Sequence, residues 1–323
     1  MILSYILVFI ASCFLLFLAG FWLVGALISI ARYLHWREFV VAFFIMAFAC
    51  SLPNLFVGIN SAINKIPELS FGDIVGGNVI NLTLVVALAV LAGGAHLPAK
   101  SRMVQSSALF SGIIAILPLV LIADGTLGRI DGIFLICIFL FYVFWLFSKE
   151  ERFKKVYEPE PAKENTRDFL GFLKNSGKII LSLVILLVAS HYIVKSAVVF
   201  SGVLNIPIVL IGVLIVGLGN TLPEMYFSVI SARKSQNWMI LGDLIGSVIY
   251  TSTFVLGLIA IIYPIKIVDF SPLVIARIFL IIATAFFIFI IRTGQKITKK
   301  EGIVLLGLYI VFLLSEIFFN YGS

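Results

Sequence analysis

Charged residues are scarce in this chain of 323 residues: only 12% are Asp, Glu, Lys or Arg, whereas 62% are hydrophobic. A soluble domain does not bury so large an apolar fraction, so the composition predicts a polytopic membrane protein. The chain has only three cysteines, and all three lie in apolar segments, which argues against a disulfide framework. No H-E-x-x-H motif is present, which argues against the commonest metalloenzyme of membranes. We therefore expect no enzymatic activity and no cofactor.

The apolar runs are long enough to cross a bilayer and number about ten. They lie near 2–31, 38–63, 71–94, 103–123, 129–147, 179–202, 207–232, 239–263, 270–292 and 302–320. A polar stretch at 148–178 separates the first five from the last five and is typical of a solvated linker. The sequence thus predicts an all-α membrane protein with ten transmembrane helices. Residues 1–147 and 179–323 are its two five-helix units.

The two units contain the same pattern at a constant spacing of 170 residues. Residues 51–81 aligned with 221–251 give seven identical pairs in 31, including one Pro, two Gly and one Asp. Composition alone does not readily produce such matches at one offset, so the chain is an internal duplication. Because each unit has five helices, an odd number, the second unit must cross the membrane in the opposite sense to the first.

The basic residues test this topology. The loops after predicted helices 1, 3, 5, 7 and 9 hold 18 of the 23 Lys and Arg residues. The positive-inside rule then puts the linker in the cytoplasm and both termini outside. The net charge of +7 reflects this bias across a membrane, and we expect no nucleic-acid partner. Two halves of opposite orientation are typical of secondary transporters, which bind substrate near the bilayer midplane.

Two prolines, Pro53 and Pro223, lie in the middle of predicted spans, each preceded by polar residues. A proline removes a backbone donor and frees a carbonyl, which in lipid must find a partner or line a cavity. A simple helix kink is the alternative interpretation. The residue after each proline favours a site, because Glu224 is an ionisable group deep in a span, and such groups are functional by default.

A second polar face follows each proline. Asp73, Gly77 and Asn81 are spaced by four and share one helix face, which Asp243, Ser247 and Thr251 repeat in the second half. Either Asp could instead be a helix N-cap after its preceding glycine. Close packing at Gly76 and Gly246 is expected to bring this face against the broken helix that precedes it.

These elements resemble those of the sodium/calcium exchanger family, whose two inverted repeats each carry G-T-S-L-P-E followed by G-N-x-x-G-S-N. The corresponding elements here read Ala49-Cys50-Ser51-Leu52-Pro53-Asn54 and Gly219-Asn220-Thr221-Leu222-Pro223-Glu224, with later matches at Gly72, Gly76, Asn78, Gly242, Gly246 and Ser247. The resemblance covers nearly the whole chain. It implies electrogenic exchange of Na+ for Ca2+ by alternating access, with two Glu side chains as central ligands.

The sequence departs from that pattern at the charged positions. Asn54 replaces the first central Glu. Cys50 and Asn220 replace Thr, and Asp73 and Asp243 replace Asn. Since Ca2+ takes six to eight oxygens with several carboxylates, either Asp73 and Asp243 restore the anionic charge or the ion is monovalent or a proton. The candidate cation ligands are Cys50, Ser51, Asn54, Asp73, Asn81, Asn220, Thr221, Glu224, Asp243, Ser247 and Thr251.

We therefore predict a secondary active cation antiporter in the plasma (inner) membrane. It is expected to work as a monomer in the lipid bilayer, with Na+ as a transported substrate and Ca2+ as the second candidate. One alternative is a monovalent cation/proton antiporter in which Glu224 binds either a proton or the cation. A different class of alternative is a non-transporting membrane sensor or enzyme.

Overall fold

The computed structural model describes residues 2–33, 46–93, 96–100, 102–148, 169–234 and 237–321, nearly all of them helical. The helices are α1 (Ile2–Tyr33), α2 (Met46–Cys50), α3 (Leu52–Ile63), α4 (Glu68–Ile80), α5 (Val86–Ala92), α6 (Arg102–Leu121), α7 (Arg129–Ser148), α8 (Phe169–Leu204), α9 (Ile208–Ile211), α10 (Gly217–Asn220), α11 (Leu222–Arg233), α12 (Asn237–Tyr250), α13 (Leu256–Ile262), α14 (Val274–Gly294) and α15 (Lys299–Tyr321). Helices suit these apolar runs because a helix satisfies its backbone polar groups internally, as lipid requires.

Nine helical spans in this part of the chain are long and apolar enough to cross a membrane. They agree closely with nine of the ten predicted spans, so an integral multi-pass membrane protein is confirmed. The remaining span, predicted at 38–63, lies partly outside the described residues, which show its later portion as α2 and α3. The predicted linker overlaps α8, whose first ten residues occupy 169–178. Residues 149–168 of the linker lie outside the described part.

Two spans are broken at the predicted prolines. One residue, Ser51, separates α2 from α3, and Thr221 separates α10 from α11 in the same way. Pro53 and Pro223 are the second residues of the new helices, where the missing N–H costs least. Each break is therefore an interruption of the helix by one residue, and it places the N-terminus of the following helix, α3 or α11, inside the bundle.

Further local features recur 170 residues apart. The span that begins with α4 continues through a π-helix at Asn81–Val85 into α5, and α12 continues through a π-helix at Thr251–Val255 into α13. Asp131 accepts a hydrogen bond from the Gly128 N–H at the start of α7, and Glu301 accepts one from the Thr298 N–H at the start of α15. The local structure thus repeats at the spacing found in the sequence.

Four short strands, which the sequence did not predict, connect the two halves. β1 (Leu97–Pro98) pairs antiparallel with β4 (Lys296–Ile297), and β2 (Thr126–Leu127) pairs antiparallel with β3 (Ile265–Lys266). Each pair joins one strand from the first half to one from the second. The helices next to these strands are therefore tied across the halves by backbone hydrogen bonds.

The buried apolar side chains form two separate clusters. The larger one joins α4 to α7 with α12 to α15, and the smaller one joins α1 and α8 with parts of α3, α4, α9 and the π-helix at Gly212–Val216. The halves pack closely at Gly72 and Gly76 of α4, where an added Cβ would lie 2.0 Å from the carbonyl oxygen of Val209 and 2.3 Å from that of Val213. The predicted approach of the Asp73 face to the preceding broken helix is confirmed by its contact with Asn54, but that approach is not made at Gly76. Its close neighbour is the broken helix of the other half.

Candidate functional site

The predicted polar residues meet where the two broken helices cross α4 and α12. At the centre, the hydroxyls of Ser51 and Ser247 are 2.6 Å apart. Both reach the Oε1 atom of Glu224, from Ser247 at 3.2 Å and from Ser51 at 3.4 Å. Asn81 donates its amide N–H to the Ser247 hydroxyl at 3.4 Å. The central carboxylate is thus surrounded by hydroxyl groups from both halves.

The carboxylate of Asp73 lies on the first-half side of this centre. Asn220 donates its amide N–H to Asp73 Oδ2 at 2.8 Å, and the amide nitrogen of Asn54 lies 3.4 Å and 3.5 Å from the two carboxylate oxygens. The fold therefore brings the carboxylate of Asp73 into contact with Asn54, the residue that stands where the family has its first Glu. The side chains at 54 and 73 touch, so an amide and a carboxylate have exchanged places relative to the family pattern.

The equivalent position of the second half is occupied by Asp243. Neither of its carboxylate oxygens has a hydrogen-bond partner among the described residues, and Cys50 and Glu224 are the titratable side chains that interact with it. Residues 50, 54 and 73 correspond to 220, 224 and 243 at the spacing of 170. The group of Asn54, Asn220 and Asp73 therefore has its counterpart in the group of Glu224, Cys50 and Asp243. The charges differ, however, since one side has one carboxylate with two amides and the other has two carboxylates with a thiol.

The two threonines lie at the edge of this group. Thr251, the first residue of its π-helix, donates its hydroxyl to the backbone oxygen of Ser247 at 2.9 Å and lies 3.2 Å from the amide oxygen of Asn78. Thr221 donates its hydroxyl to the carbonyl of Gly217 at 2.9 Å. Sequence reasoning left Asn78 out of the ligand set, although it matches the family motif. Its amide also donates to the Ser252 hydroxyl at 2.8 Å and so links the halves.

All eleven predicted ligands are buried, with at most 3% of any side chain exposed. Several of their oxygen atoms have no hydrogen-bond donor among the described residues: Asn54 Oδ1, Asn81 Oδ1, Asn220 Oδ1, Glu224 Oε2, Asp243 Oδ1 and Asp243 Oδ2. Buried polar atoms in proteins are nearly always paired, so this many open acceptors around one centre suits a cation. In the described part of the chain, no three His, Cys, Asp or Glu side chains gather as in a resident metal site.

The alternative interpretation of the two Asp residues as helix N-caps is wrong. Helix α4 begins at Glu68 after Pro67, and α12 begins at Asn237. Asp73 and Asp243 lie inside these helices, well past the first turn, where the backbone N–H groups already have helical partners. Their side chains are fully buried and directed to the centre of the bundle, so capping does not explain them.

Comparison with known proteins agrees with this geometry. The model of the family described as "Sodium/calcium exchanger protein" matches residues 4–148 and 176–318, which is most of the chain and both halves. Two curated relatives are each 26% identical: the inner membrane protein YrbG of Escherichia coli, with 85% of each chain covered, and the sodium/calcium exchanger MaX1 of Methanosarcina acetivorans, with 88% of this chain and 91% of the relative covered.

The fold has a counterpart among solved structures. The sodium-calcium exchanger NCX_Mj, in crystals soaked with Na+ and Sr2+, superposes with a TM-score of 0.68 over 98% of this chain and 99% of that one, at 24% sequence identity. The match extends over both halves and the region between them that holds the candidate site. The chain therefore belongs to the sodium/calcium exchanger family and is a cation antiporter that resembles Na+/Ca2+ exchangers.

Proposed function

We propose that this antiporter exchanges Na+ for Ca2+ at the buried site between its halves. The observation that carries the proposal is the set of three buried carboxylates, Asp73, Glu224 and Asp243, with unpartnered oxygens among them and around them. Ca2+ favours six to eight oxygens with several carboxylates. The contact between Asp73 and Asn54 supports the view that Asp73 supplies the charge that position 54 lacks.

The ligands divide by chemistry. Glu224 would be the central carboxylate, and Ser51, Ser247 and Asn81 would supply neutral oxygens beside it. Asn54, Asn220, Thr221, Thr251 and Cys50 complete the set predicted from sequence. Every transported ion would be a substrate, and the proposal includes no cofactor.

Alternating access would follow from two halves of opposite orientation with ten transmembrane helices in all. The constant spacing of 170 residues between helix breaks, π-helices and capping residues supports inverted repeats. Because all the predicted ligands are buried in this conformation, exchange would require a change that opens the site to each side of the membrane in turn. The charge bias of the loops supports a plasma-membrane orientation with both termini outside. We propose a monomer as the functional unit.

The test is ion flux into proteoliposomes that contain the purified protein. An outward Na+ gradient should drive 45Ca2+ uptake, and 22Na+ should leave as 45Ca2+ enters. Liposomes with Glu224→Gln protein are the matched control and should show only leak. Uptake of 22Na+ driven by a pH gradient without any 45Ca2+ flux would replace this proposal with a monovalent cation/proton antiporter. The absence of all flux from a folded protein would favour a sensor.

A further inference from the structure

The side-chain amide of Asn78 joins α4 to the first turn of the second-half π-helix. Its nitrogen donates to the Ser252 hydroxyl at 2.8 Å, and its oxygen accepts the Thr251 hydroxyl at 3.2 Å. All three side chains are buried, with at most 3% of any of them exposed. One amide of the first half therefore holds two successive residues of a π-helix in the second half.

The hydroxyl of Thr251 needs an acceptor if its oxygen is to bind a cation. A hydroxyl has one proton to donate and two lone pairs, so a lone pair faces an ion only when the proton points elsewhere. Within the same helix, the backbone oxygens of Ser247 and Val248 lie 2.9 Å and 3.4 Å from the Thr251 hydroxyl. The amide oxygen of Asn78 is the acceptor that comes from the other half.

The two halves differ at these positions in a consistent way. At the spacing of 170, Asn78 corresponds to Val248, and Thr251 corresponds to Asn81. The first π-helix begins with Asn81, whose amide oxygen carries no proton, and the residue that corresponds to Asn78 is apolar. The second π-helix begins with a hydroxyl side chain, and the matching residue is an amide. The polar side chain is therefore present in the half where a hydroxyl proton needs an acceptor.

We propose that Asn78 is a positioning residue of the cation site. Its amide oxygen accepts the proton of the Thr251 hydroxyl, so that the lone pairs of the Thr251 oxygen are directed to the transported cation. Hard cations such as Ca2+ take oxygen ligands, and the groups that orient those ligands contribute to affinity without touching the ion. The role of Asn78 rests on the proposed function, because Thr251 is a ligand only if the buried site binds the transported ion.

A double-mutant cycle between positions 78 and 251 tests this role. Calorimetric titrations with CaCl2 and, separately, NaCl should compare the wild type, Asn78→Leu, Thr251→Val and the double variant in detergent. Asn78→Leu should weaken binding roughly ten-fold, as when an outer-shell partner of a metal ligand is removed. The double variant should bind no more weakly than Thr251→Val alone, because Asn78 acts through Thr251. Losses that multiply, or unchanged affinity in Asn78→Leu, would overturn the role of Asn78.

The chain offers a matched control in Asn60 of α3. Its amide also donates to a serine of the other half, the hydroxyl of Ser190 at 2.6 Å, and neither residue is a predicted ligand. Asn60→Leu should lower the melting temperature and leave the affinity for both cations equal to that of the wild type. An equal loss of affinity in Asn60→Leu would show that any loosened contact between the halves weakens binding, and would overturn the inference.

A second variant covers the case in which Asn78→Leu does not fold. Ser252→Ala removes the partner of the Asn78 nitrogen and leaves Asn78 and Thr251 in place. It should weaken cation binding in the wild-type background and have no further effect in Thr251→Val. The same weakening in both backgrounds would contradict a role that acts through Thr251.

Failure of the inference is distinguishable from failure of the proposed function. If the wild type moves 22Na+ under a pH gradient without 45Ca2+ flux, the Na+/Ca2+ proposal fails, and the NaCl titrations decide the role of Asn78. If 45Ca2+ exchange is normal and the cycle shows no coupling, the role of Asn78 fails alone. A wild type that binds neither cation would overturn both.

Discussion

The contact between Asn54 and Asp73 permits a charge-swap experiment. The amide nitrogen of Asn54 lies 3.4 Å and 3.5 Å from the oxygens of Asp73, and the family pattern has Glu and Asn at these two positions. Asp73→Asn removes one carboxylate from the site. If Asp73 contributes one charge-assisted contact to Ca2+, the loss is about 1.5–3 kcal/mol. This corresponds to a roughly ten- to hundred-fold weaker affinity.

The double variant Asn54→Glu, Asp73→Asn should restore the affinity. It returns one carboxylate and one amide to the same contact with the charges exchanged, so the net charge equals that of the wild type. The single variant Asn54→Glu is different, because it places two carboxylates side by side. At an effective dielectric constant of about 20, unit charges about 4 Å apart repel by roughly 4 kcal/mol. Asn54→Glu alone should therefore destabilise the cation-free protein and bind Ca2+ more tightly than the wild type.

The assay is Ca2+ titration of all four proteins by calorimetry in detergent, with thermal unfolding of each protein with and without Ca2+. The four affinities form a double-mutant cycle, which isolates the coupling between positions 54 and 73. Unchanged affinity in Asp73→Asn would refute compensation and favour a monovalent ion. A double variant as weak as Asp73→Asn would show that the position of the carboxylate matters and that the charge alone is insufficient.

Three further predictions concern the centre, the topology and the packing. Glu224→Gln should abolish coupled 45Ca2+ and 22Na+ flux while the protein stays folded, since the amide is nearly isosteric and neutral; wild-type exchange rates would remove Glu224 from the mechanism. Lys163→Cys, in the part of the linker outside the described residues, should react with a membrane-impermeant maleimide only after the cells are permeabilised, and labelling of intact cells would contradict the topology. Gly76→Ala should lower stability by about 1–3 kcal/mol, because the added methyl would lie 2.3 Å from the carbonyl oxygen of Val213. Gly25→Ala, which meets no described atom within 4 Å, is its control, and equal melting temperatures in detergent would contradict the close contact.

The sequence predicts the spans well because apolar length is nearly sufficient to define a membrane helix. The helix breaks could also be predicted from the sequence, because a proline in a span removes a backbone hydrogen-bond donor at a known position. The strands β1 to β4 were not, because two residues leave no periodic pattern and each strand pairs with one far away in the sequence. The helix predicted to pack against Gly76 was wrong for a similar reason. The spacing of small residues indicates that a close contact exists, but it does not say which helix makes that contact.

The site was predicted residue by residue, but its contacts were not. Sequence spacing placed Asp73 on one helix face, yet nothing in the spacing says that Asn54 and Asn220, from different halves, both meet it. Asn78 could be recognised only as a motif residue, and its hydrogen bond to Ser252 depends on how α4 faces the π-helix at Thr251–Val255. Contacts between the halves depend on crossing geometry, which one sequence does not determine.

The two halves of the site are alike in position and unlike in charge, and this difference has a physical consequence. The carboxylate of Asp73 is already surrounded by amide donors, so a cation that approaches it must compete with two N–H groups. Asp243 has no hydrogen-bond donor on either carboxylate oxygen among the described residues, and Glu224 has donors only on Oε1, so a cation that binds there need not displace an amide N–H. The duplicated backbone provides two equivalent sets of positions. The different residues at 50, 54, 220 and 224 make the set around Asp243 the stronger cation site. We therefore expect Asp243→Asn to weaken cation binding more than Asp73→Asn does, and the same calorimetric titration measures both. Equal losses would mean that the amides around Asp73 turn away when the ion binds.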